Sequence, residues 1–264
     1  MVKKILARAY VGIILLILYA PIVTIIIFSF TESRVSGGWS GFSFGNYISL
    51  FQNAKIGAAI LNTLIIAVVS AIIATFLGTL AAVGISNMRK TARTIVNGVN
   101  QIPVLNADIV TAICLFLFFS YFIDGGYVTL IISHVLICTP FVIMSVMPRI
   151  RQLNPNLYEA ALDLGASPKK ALFSVIIPQL IPSMISGALL AFTLSLDDFV
   201  ISQYNRGTDG IDTISTYIYN NLKRGLDPAF RALSTLIFLV VLGILIAINI
   251  RSKQANKKNG GNLN

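Results

Sequence analysis

Charged residues are scarce in this 264-residue sequence: they make up 11% of the chain, whereas 56% of the residues are hydrophobic. A soluble domain has about 25% charged residues. One soluble core cannot hide such an apolar surplus, because most residues of a small domain still contact water. The hydrophobic residues also come in long uninterrupted runs. The composition therefore argues against a soluble protein with an apolar core and predicts a membrane protein.

Residues typical of catalytic and metal sites are also scarce, with one histidine and two cysteines in the whole chain. Cys114 and Cys138 lie inside apolar runs at a spacing that fits no metal or redox motif, so we interpret them as packing residues. The string closest to a phosphate-binding loop, 84–91, has Arg89 where a glycine is needed. The sequence therefore predicts no catalytic residue, no metal site, no cofactor and no ATP site.

Six apolar runs are long enough to cross a bilayer, which takes roughly 20 residues of helix. Their approximate limits are 9–30, 60–85, 96–122, 126–148, 178–200 and 230–250. Backbone polar groups inside a bilayer must be satisfied within the segment, so we expect helices, and the alternating pattern of a membrane barrel is absent. The first run follows basic residues as a signal peptide does, but its length favours a retained span. The predicted fold is an all-α membrane protein with six transmembrane helices in one domain, 1–264.

Basic residues concentrate on one side of this six-helix arrangement. That side carries both termini and the loop 149–178, and its basic residues are Lys3, Lys4, Arg8, Arg89, Lys90, Arg93, Arg149, Arg151, Lys169, Lys170, Arg251, Lys253, Lys257 and Lys258. The positive side of a membrane protein faces the cytoplasm. We therefore predict a multi-pass protein of the bacterial cytoplasmic (inner) membrane, with cytoplasmic termini and membrane lipid as a partner. No aromatic-interleaved basic patch indicates a nucleic-acid partner.

The 149–178 loop has the local features of a short surface helix followed by a turn. Asn156 can cap a helix whose third residue is Glu159, an arrangement typical of a capping box. Four apolar residues recur at helical spacing and are expected to form one face: Leu157, Ala160, Ala161 and Leu164. Gly165 suits the left-handed position that ends a helix, and Ser167-Pro168 suits the start of the next one. We expect a helix that a soluble partner can grip.

The order of residues in this loop resembles the EAA loop of ATP-binding-cassette (ABC) importer permeases. Glu159-Ala160-Ala161, three residues, Gly165, nine residues and then Val175-Ile176-Ile177-Pro178 match the family pattern, with conservative changes at Val175 and Ile177. The resemblance implies the type I importer permease architecture. It also implies that Glu159, Ala160, Ala161 and Gly165 couple the chain to a separate ATPase subunit.

Other stretches resemble the spermidine/putrescine permeases of such importers. They are Ala107-Asp108-Ile109-Val110, Ser133-His134, Thr139-Pro140-Phe141-Val142 and Ser195-Leu196-Asp197-Asp198. The resemblance implies a subunit forming half of a polyamine pathway, with a second related permease and an extracellular or periplasmic polyamine-binding protein as partners. Ala107 replaces a proline of the family pattern, so Pro103 is the expected source of any bend in the third span.

Asp108, Asp197 and Asp198 are the candidate substrate-pathway residues. They are acids at expected membrane depth, and neither span offers a Lys or Arg partner at that depth, which favours a cationic substrate as the counter-ion. The alternatives are a helix–helix hydrogen bond at Asp108 and a hydrated span end at the aspartate pair. His134 is expected to pack or to form hydrogen bonds rather than to relay protons. Five tyrosines are expected at the outer interface: Tyr121, Tyr127, Tyr204, Tyr217 and Tyr219.

Two other functions fit an apolar multi-span chain. One is a permease of the same architecture for another solute, such as an anion or a metal chelate; an anion carrier would be expected to line its path with basic residues. A secondary transporter would be expected to carry an internal repeat and more spans. The acids within the runs and the absence of an evident repeat favour the polyamine importer over both.

Overall fold

The computed structural model describes residues 2–31, 38–154, 156–208, 210–222, 228–239 and 242–243. Within these residues the regular structure is helical, apart from an isolated antiparallel bridge between Thr31 and Phe42, and short loops join the helices. In chain order the helices are α1 (Val2–Ser29), α2 (Gly45–Gln52), α3 (Ala54–Ser86), α4 (Lys90–Leu105), α5 (Asp108–Ser120), α6 (Tyr127–Gln152), α7 (Asn156–Asp163), α8 (Pro168–Ala171), α9 (Ile177–Asp197), α10 (Val200–Asn205), α11 (Ile214–Leu222) and α12 (Ala229–Leu239). A π-helical turn, Leu172–Ile176, joins α8 to α9.

Four helical stretches among the described residues are long and apolar enough to cross a membrane. They are Tyr10–Ser29, Ala54–Ser86, Tyr127–Gln152 and Pro168–Asp197. Together α4 and α5 make a fifth candidate as a bent pair, and α12 is a shorter apolar helix. The last run, 230–250, continues beyond the described residues, and Arg251, Lys253, Lys257 and Lys258 also lie outside them.

The third apolar run is broken into two helices. The backbone N–H of Asn106 closes α4 by donating to the carbonyl of Ile102 at 3.0 Å. Ala107 is extended, and α5 starts at Asp108 with its axis turned by 102° from α4. Pro103 lies inside α4. The expectation of a bend at Pro103 is therefore wrong, because the extended backbone of Asn106 and Ala107 turns the chain after the proline.

The first of two compact units comprises Met1–Gly57 and Ile218–Asn264. Asn46 of α2 fastens that helix to the end of α1, because its Nδ2 donates to the carbonyls of Ser29 at 2.9 Å and Thr31 at 3.1 Å. These bonds satisfy carbonyls at the end of α1 that have no partner within the helix. Four rings pack around the same turn: Phe30, Phe42, Phe44 and Tyr47. The apolar side chains of α1 are largely exposed, as expected of a helix that faces lipid.

The second compact unit, Ala58–Tyr217, has its core where α6 meets α3 and α9. Val142 of α6 is fully buried beside two glycines. A Cβ on Gly78 of α3 would lie 2.8 Å from its side chain, and a Cβ on Gly187 of α9 would lie 3.3 Å away. Small residues let helix backbones approach closely, a common device in membrane bundles. Cys138 is buried in this core, which confirms its packing role, whereas Cys114 is exposed.

Candidate functional site

The side chain of Asn154 caps the start of the surface helix α7. Its Oδ1 accepts the backbone N–H of Asn156 at 3.0 Å, and its carbonyl accepts that of Leu157 at 3.2 Å. Asn156 lies within the helix, so its expected role as the cap is wrong: Asn154, two residues earlier, supplies the acceptor. Glu159 still falls in the first turn, where the helix dipole favours a carboxylate.

The apolar residues of α7 do not share one packed face. Ala161 is buried and Leu157 is half-buried, but Ala160 is exposed and the Leu164 side chain is 89% exposed. The packed side of the helix includes Tyr158 and Leu162 instead. Ala160 and Leu164 therefore lie outside it. The open face carries Asn156, Glu159, Ala160, Asp163 and Leu164. It combines two carboxylates with one small and one large apolar side chain, a surface suited to a protein partner.

Gly165 ends α7 as the sequence predicted. Its φ is +85°, a left-handed conformation that side chains with a Cβ rarely adopt. Its N–H donates to the carbonyl of Leu162 at 2.8 Å, and the N–H of Ala166 donates to that of Ala161 at 3.1 Å. This bond pair is the Schellman motif. The predicted start of α8 is also confirmed, because the Ser167 hydroxyl accepts the N–H of Lys170 at 3.4 Å.

A cavity of about 880 Å³ lies where α7 and α8 meet the ends of α3, α4 and α6. Its walls include Arg93, Arg151, Lys169 and Glu159. The guanidinium of Arg93 donates to the carbonyls of Ser86 and, at 3.3 Å, Ile85. A cation at a helix C-terminus meets carbonyls that lack a partner within the helix. Arg93 therefore fastens the start of α4 to the end of α3 beside the surface helix.

Two of the three candidate pathway acids are open to their surroundings. Asp108 is exposed in the first turn of α5, close to the break, where Asn106 Nδ2 donates to Thr111 Oγ1 at 3.1 Å. Asp197 is exposed at the end of α9. Within the described part of the chain, neither carboxylate forms a hydrogen bond or an ion pair. Both are available to a ligand cation.

The third acid, Asp198, is already engaged. Its carboxylate accepts the N–H of Ser202 at 2.8 Å, the hydroxyl of Ser202 at 2.9 Å and the N–H of Ile201 at 3.3 Å. Only 12% of its side chain is exposed. These bonds satisfy the first free N–H groups of α10, so Asp198 fixes the junction between α9 and α10. The two neighbouring aspartates therefore occupy different environments, because Asp197 ends the helix α9 whereas Asp198 has an extended backbone.

His134 of α6 joins the same junction. Its Nδ1 lies 2.7 Å from the hydroxyl of Ser195, and its Nε2 lies 3.2 Å from that of Ser202 and 3.6 Å from the Asp198 carboxylate. The imidazole is buried, and each of its two nitrogens has a hydroxyl of the protein as hydrogen-bond partner. The prediction that His134 forms hydrogen bonds is confirmed. The sequence did not identify Ser195 and Ser202 as its partners. A buried histidine does indicate two hydrogen-bond partners, because each ring nitrogen needs one.

The predicted interfacial tyrosines differ in their surroundings. Tyr121, Tyr204 and Tyr219 are exposed, whereas Tyr217 is half-buried. The hydroxyl of Tyr127 donates to Asn62 Oδ1 at 2.5 Å. This bond links the start of α6 to α3 and gives Tyr127 a structural role.

Comparison with protein families matches residues 74–252 to the binding-protein-dependent transport system inner membrane component. The chain is 34% identical over its whole length to the whole spermidine/putrescine transport system permease protein PotC of Shigella flexneri. It is 35% identical to the putrescine transport system permease protein PotI of Escherichia coli strain K12, over 86% of this chain and 83% of that protein.

Among solved structures, the chain is similar to one from a bacterial ABC transporter involved in the import of the acidic polysaccharide alginate. The two superpose with a TM-score of 0.70 at 20% identity, over 96% of each chain. A second match is to the methionine ABC transporter MetNI, with a TM-score of 0.58 at 19% identity, over 79% of this chain and 95% of that one. At these identities the likeness concerns the fold.

Proposed function

Because the chain belongs to the family of binding-protein-dependent transport system inner membrane components, we infer that it is the permease subunit of an ATP-driven polyamine importer. The full-length similarity to a spermidine/putrescine permease carries this conclusion. The chain is a multi-pass inner-membrane transport subunit and not an enzyme. Hydrolysis of ATP falls to a separate ATPase subunit.

The chain crosses the membrane six times with both termini in the cytoplasm. The four long apolar helices, the bent pair of α4 and α5, and the last apolar run supply the six spans. The concentration of basic residues in the N-terminal segment, in the loops after α3 and α6, and in the C-terminal segment supports this orientation. Under this arrangement α7 lies on the cytoplasmic surface.

The open face of α7 is the contact for the ATPase. Ala160 permits close approach, Leu164 offers an apolar anchor, and Glu159 and Asp163 offer charges around it. The Schellman turn at Gly165 fixes the angle between this helix and α8, which continues through the π-helical turn into α9. A displacement of α7 by the ATPase is therefore passed along a nearly continuous helical path toward Asp197.

The exposed carboxylates of Asp108 and Asp197 are counter-ions for the passing polyamine. A polyamine carries separated positive charges. Several separated carboxylates that each bind it weakly allow both entry and release. Asp198 contributes by holding the α9–α10 junction next to Asp197. Its hydrogen bonds to Ser202 and its proximity to His134 support this positioning role.

A pathway needs walls on both sides, so a second related permease completes it, and a polyamine-binding protein delivers the substrate from outside. The test is to purify the chain with its native partners, identify them, and reconstitute the complex in liposomes. Uptake of spermidine that requires ATP on the side of α7 is the expected result.

A further inference from the structure

A second cavity, of about 400 Å³, lies at the opposite end of α6 from α7, between the end of α5 and the segment that follows α10. Two glycines hold its rim together. A Cβ on Gly125 or on Gly207 would overlap the backbone of the other, and Gly207 has a φ of +73°. Only residues without a side chain allow the two loops to pack this closely. The cavity is therefore a built feature of the fold.

One basic and one acidic residue line this cavity, and the basic one is paired with a carboxylate of the protein. Arg206 lines it, but its Nη1 is paired with the carboxylate of Asp212 at 2.5 Å. Asp124 also lines the cavity, is exposed, and forms no ion pair within the part of the chain that the structure describes. The guanidinium charge is thus met inside the protein, whereas the Asp124 carboxylate remains open to a cation.

A buried acceptor without a donor lies in the same wall. The side chain of Asn205 is 3% exposed, and its Nδ2 donates to the carbonyls of Ile201 at 3.1 Å and Ala112 at 3.4 Å. These bonds assign the amide, and its Oδ1 has no hydrogen-bond partner among the described residues. Native structures rarely leave a buried carbonyl oxygen without a hydrogen bond, so we expect a donor from outside the chain at Asn205 Oδ1.

Aromatic side chains make up much of the remaining wall: Phe116, Phe119 and Tyr204. Rings attract organic cations through their negative faces. A carboxylate, an unmet carbonyl and aromatic walls are together the groups that recognise an organic ammonium, whose N–H bonds and positive charge match them.

We propose that this cavity binds a primary ammonium group of the substrate, with Asp124 as counter-ion and Asn205 Oδ1 as hydrogen-bond acceptor. The assignment rests on the proposed function, because a polyamine ends in such groups. Asp124 lies on the predicted outer side, so the cavity is a first station on the way to Asp197 and Asp108.

The test measures equilibrium binding of spermidine to the complete importer complex in nanodiscs, without its binding protein. Asp124→Cys is made in a Cys114→Ser background, and Cys138 stays in place because it is buried. The variant should raise the Kd about fivefold, the size expected for one exposed charge pair. A sulfonatoethyl thiol adduct should restore the wild-type Kd, and a trimethylammonium-ethyl adduct of similar size should raise it further.

Tyr121→Cys in the same background is the matched control, because residue 121 is exposed in the same loop but does not line the cavity. Both adducts there should leave the Kd unchanged. Equal Kd values for wild type, Asp124→Cys and both its adducts would overturn the site, as would the absence of measurable spermidine binding by the wild-type complex. ATP-driven spermidine uptake by the same complex, reconstituted in liposomes with its binding protein, would then show that the importer assignment survives; its absence would overturn both.

Discussion

At the scale of single residues, the structure separates acids that look equivalent in the sequence. Asp197 and Asp198 are neighbours, yet the first is exposed and the second accepts three hydrogen bonds from the start of α10. The capping bonds of Asp198 are local, because Ile201 and Ser202 follow it by three and four residues, but its contact with His134 joins residues far apart in the chain. The contacts of His134 with Ser195 and Ser202 span 61 and 68 residues. Local capping of α10 engages Asp198, and tertiary packing adds the buried imidazole beside it.

This separation predicts different effects of three isosteric variants. Asp108→Asn and Asp197→Asn should lower spermidine uptake at least about tenfold, since each removes a charge-assisted contact with the substrate. Because both side chains are exposed, membrane levels and Tm should stay normal. Asp198→Asn should lower uptake and also Tm, because loss of buried hydrogen bonds costs about 1–3 kcal/mol.

Uptake and thermal unfolding of the purified complex, at matched expression, measure these effects. Cys114→Ser is the control for a polar change on the exposed surface of α5 that leaves the charge unaltered. Near-normal uptake by Asp108→Asn, by Asp197→Asn and by the double variant would refute the counter-ion role. An unchanged Tm for Asp198→Asn would show that the α9–α10 junction does not depend on that carboxylate.

At the scale of elements, sequence prediction succeeds where the signal is local. The turn at Gly165 and the cap at Ser167 were predictable because each depends on residues within a few positions. The break after α4 was not, since Pro103 is the visible helix breaker and yet stays inside the helix. The packed side of α7 was also missed, because neighbouring helices determine which part of an amphipathic surface they cover.

Gly165 gives the sharpest test of the surface helix. A Cβ there meets open space, so substitutions act only through the left-handed backbone. Gly165→Val should disfavour the turn by roughly 1–2 kcal/mol, whereas Gly165→Asn should preserve it, since asparagine tolerates this conformation. We expect the valine variant to insert in the membrane but to lose the ATPase on affinity purification, and the asparagine variant to retain it. If both variants retain the ATPase equally, the left-handed turn at Gly165 is not required for ATPase binding.

At the scale of the whole molecule, the composition predicted a membrane protein, and the long apolar runs that 11% charged residues leave uninterrupted predicted helices. The exposed apolar surface of α1 is consistent with a lipid environment. Substrate and partners were not predictable from composition. They came from the spacing of the loop residues and from the similarity of the full chain to polyamine permeases.

The proposed orientation of the whole chain is tested by labelling single cysteines with a membrane-impermeant reagent in intact cells. With Cys114 replaced by serine, cysteines at Asp124 and Asp212 should react from outside, and cysteines at Arg89 and Lys169 should react only after the membrane is opened. The basic residues near the last two positions are the physical reason. External reaction at position 169 would contradict the orientation and the ATPase contact together.

The central claim, that this chain is the permease of an ATP-driven polyamine importer, is tested most directly by transport with purified components. The complex is reconstituted in liposomes with ATP inside and a spermidine-loaded binding protein outside, and internal spermidine is measured over time. Spermidine should accumulate against a gradient, and accumulation should stop without ATP or without this chain. Failure to accumulate spermidine or putrescine by a complex that hydrolyses ATP would contradict it.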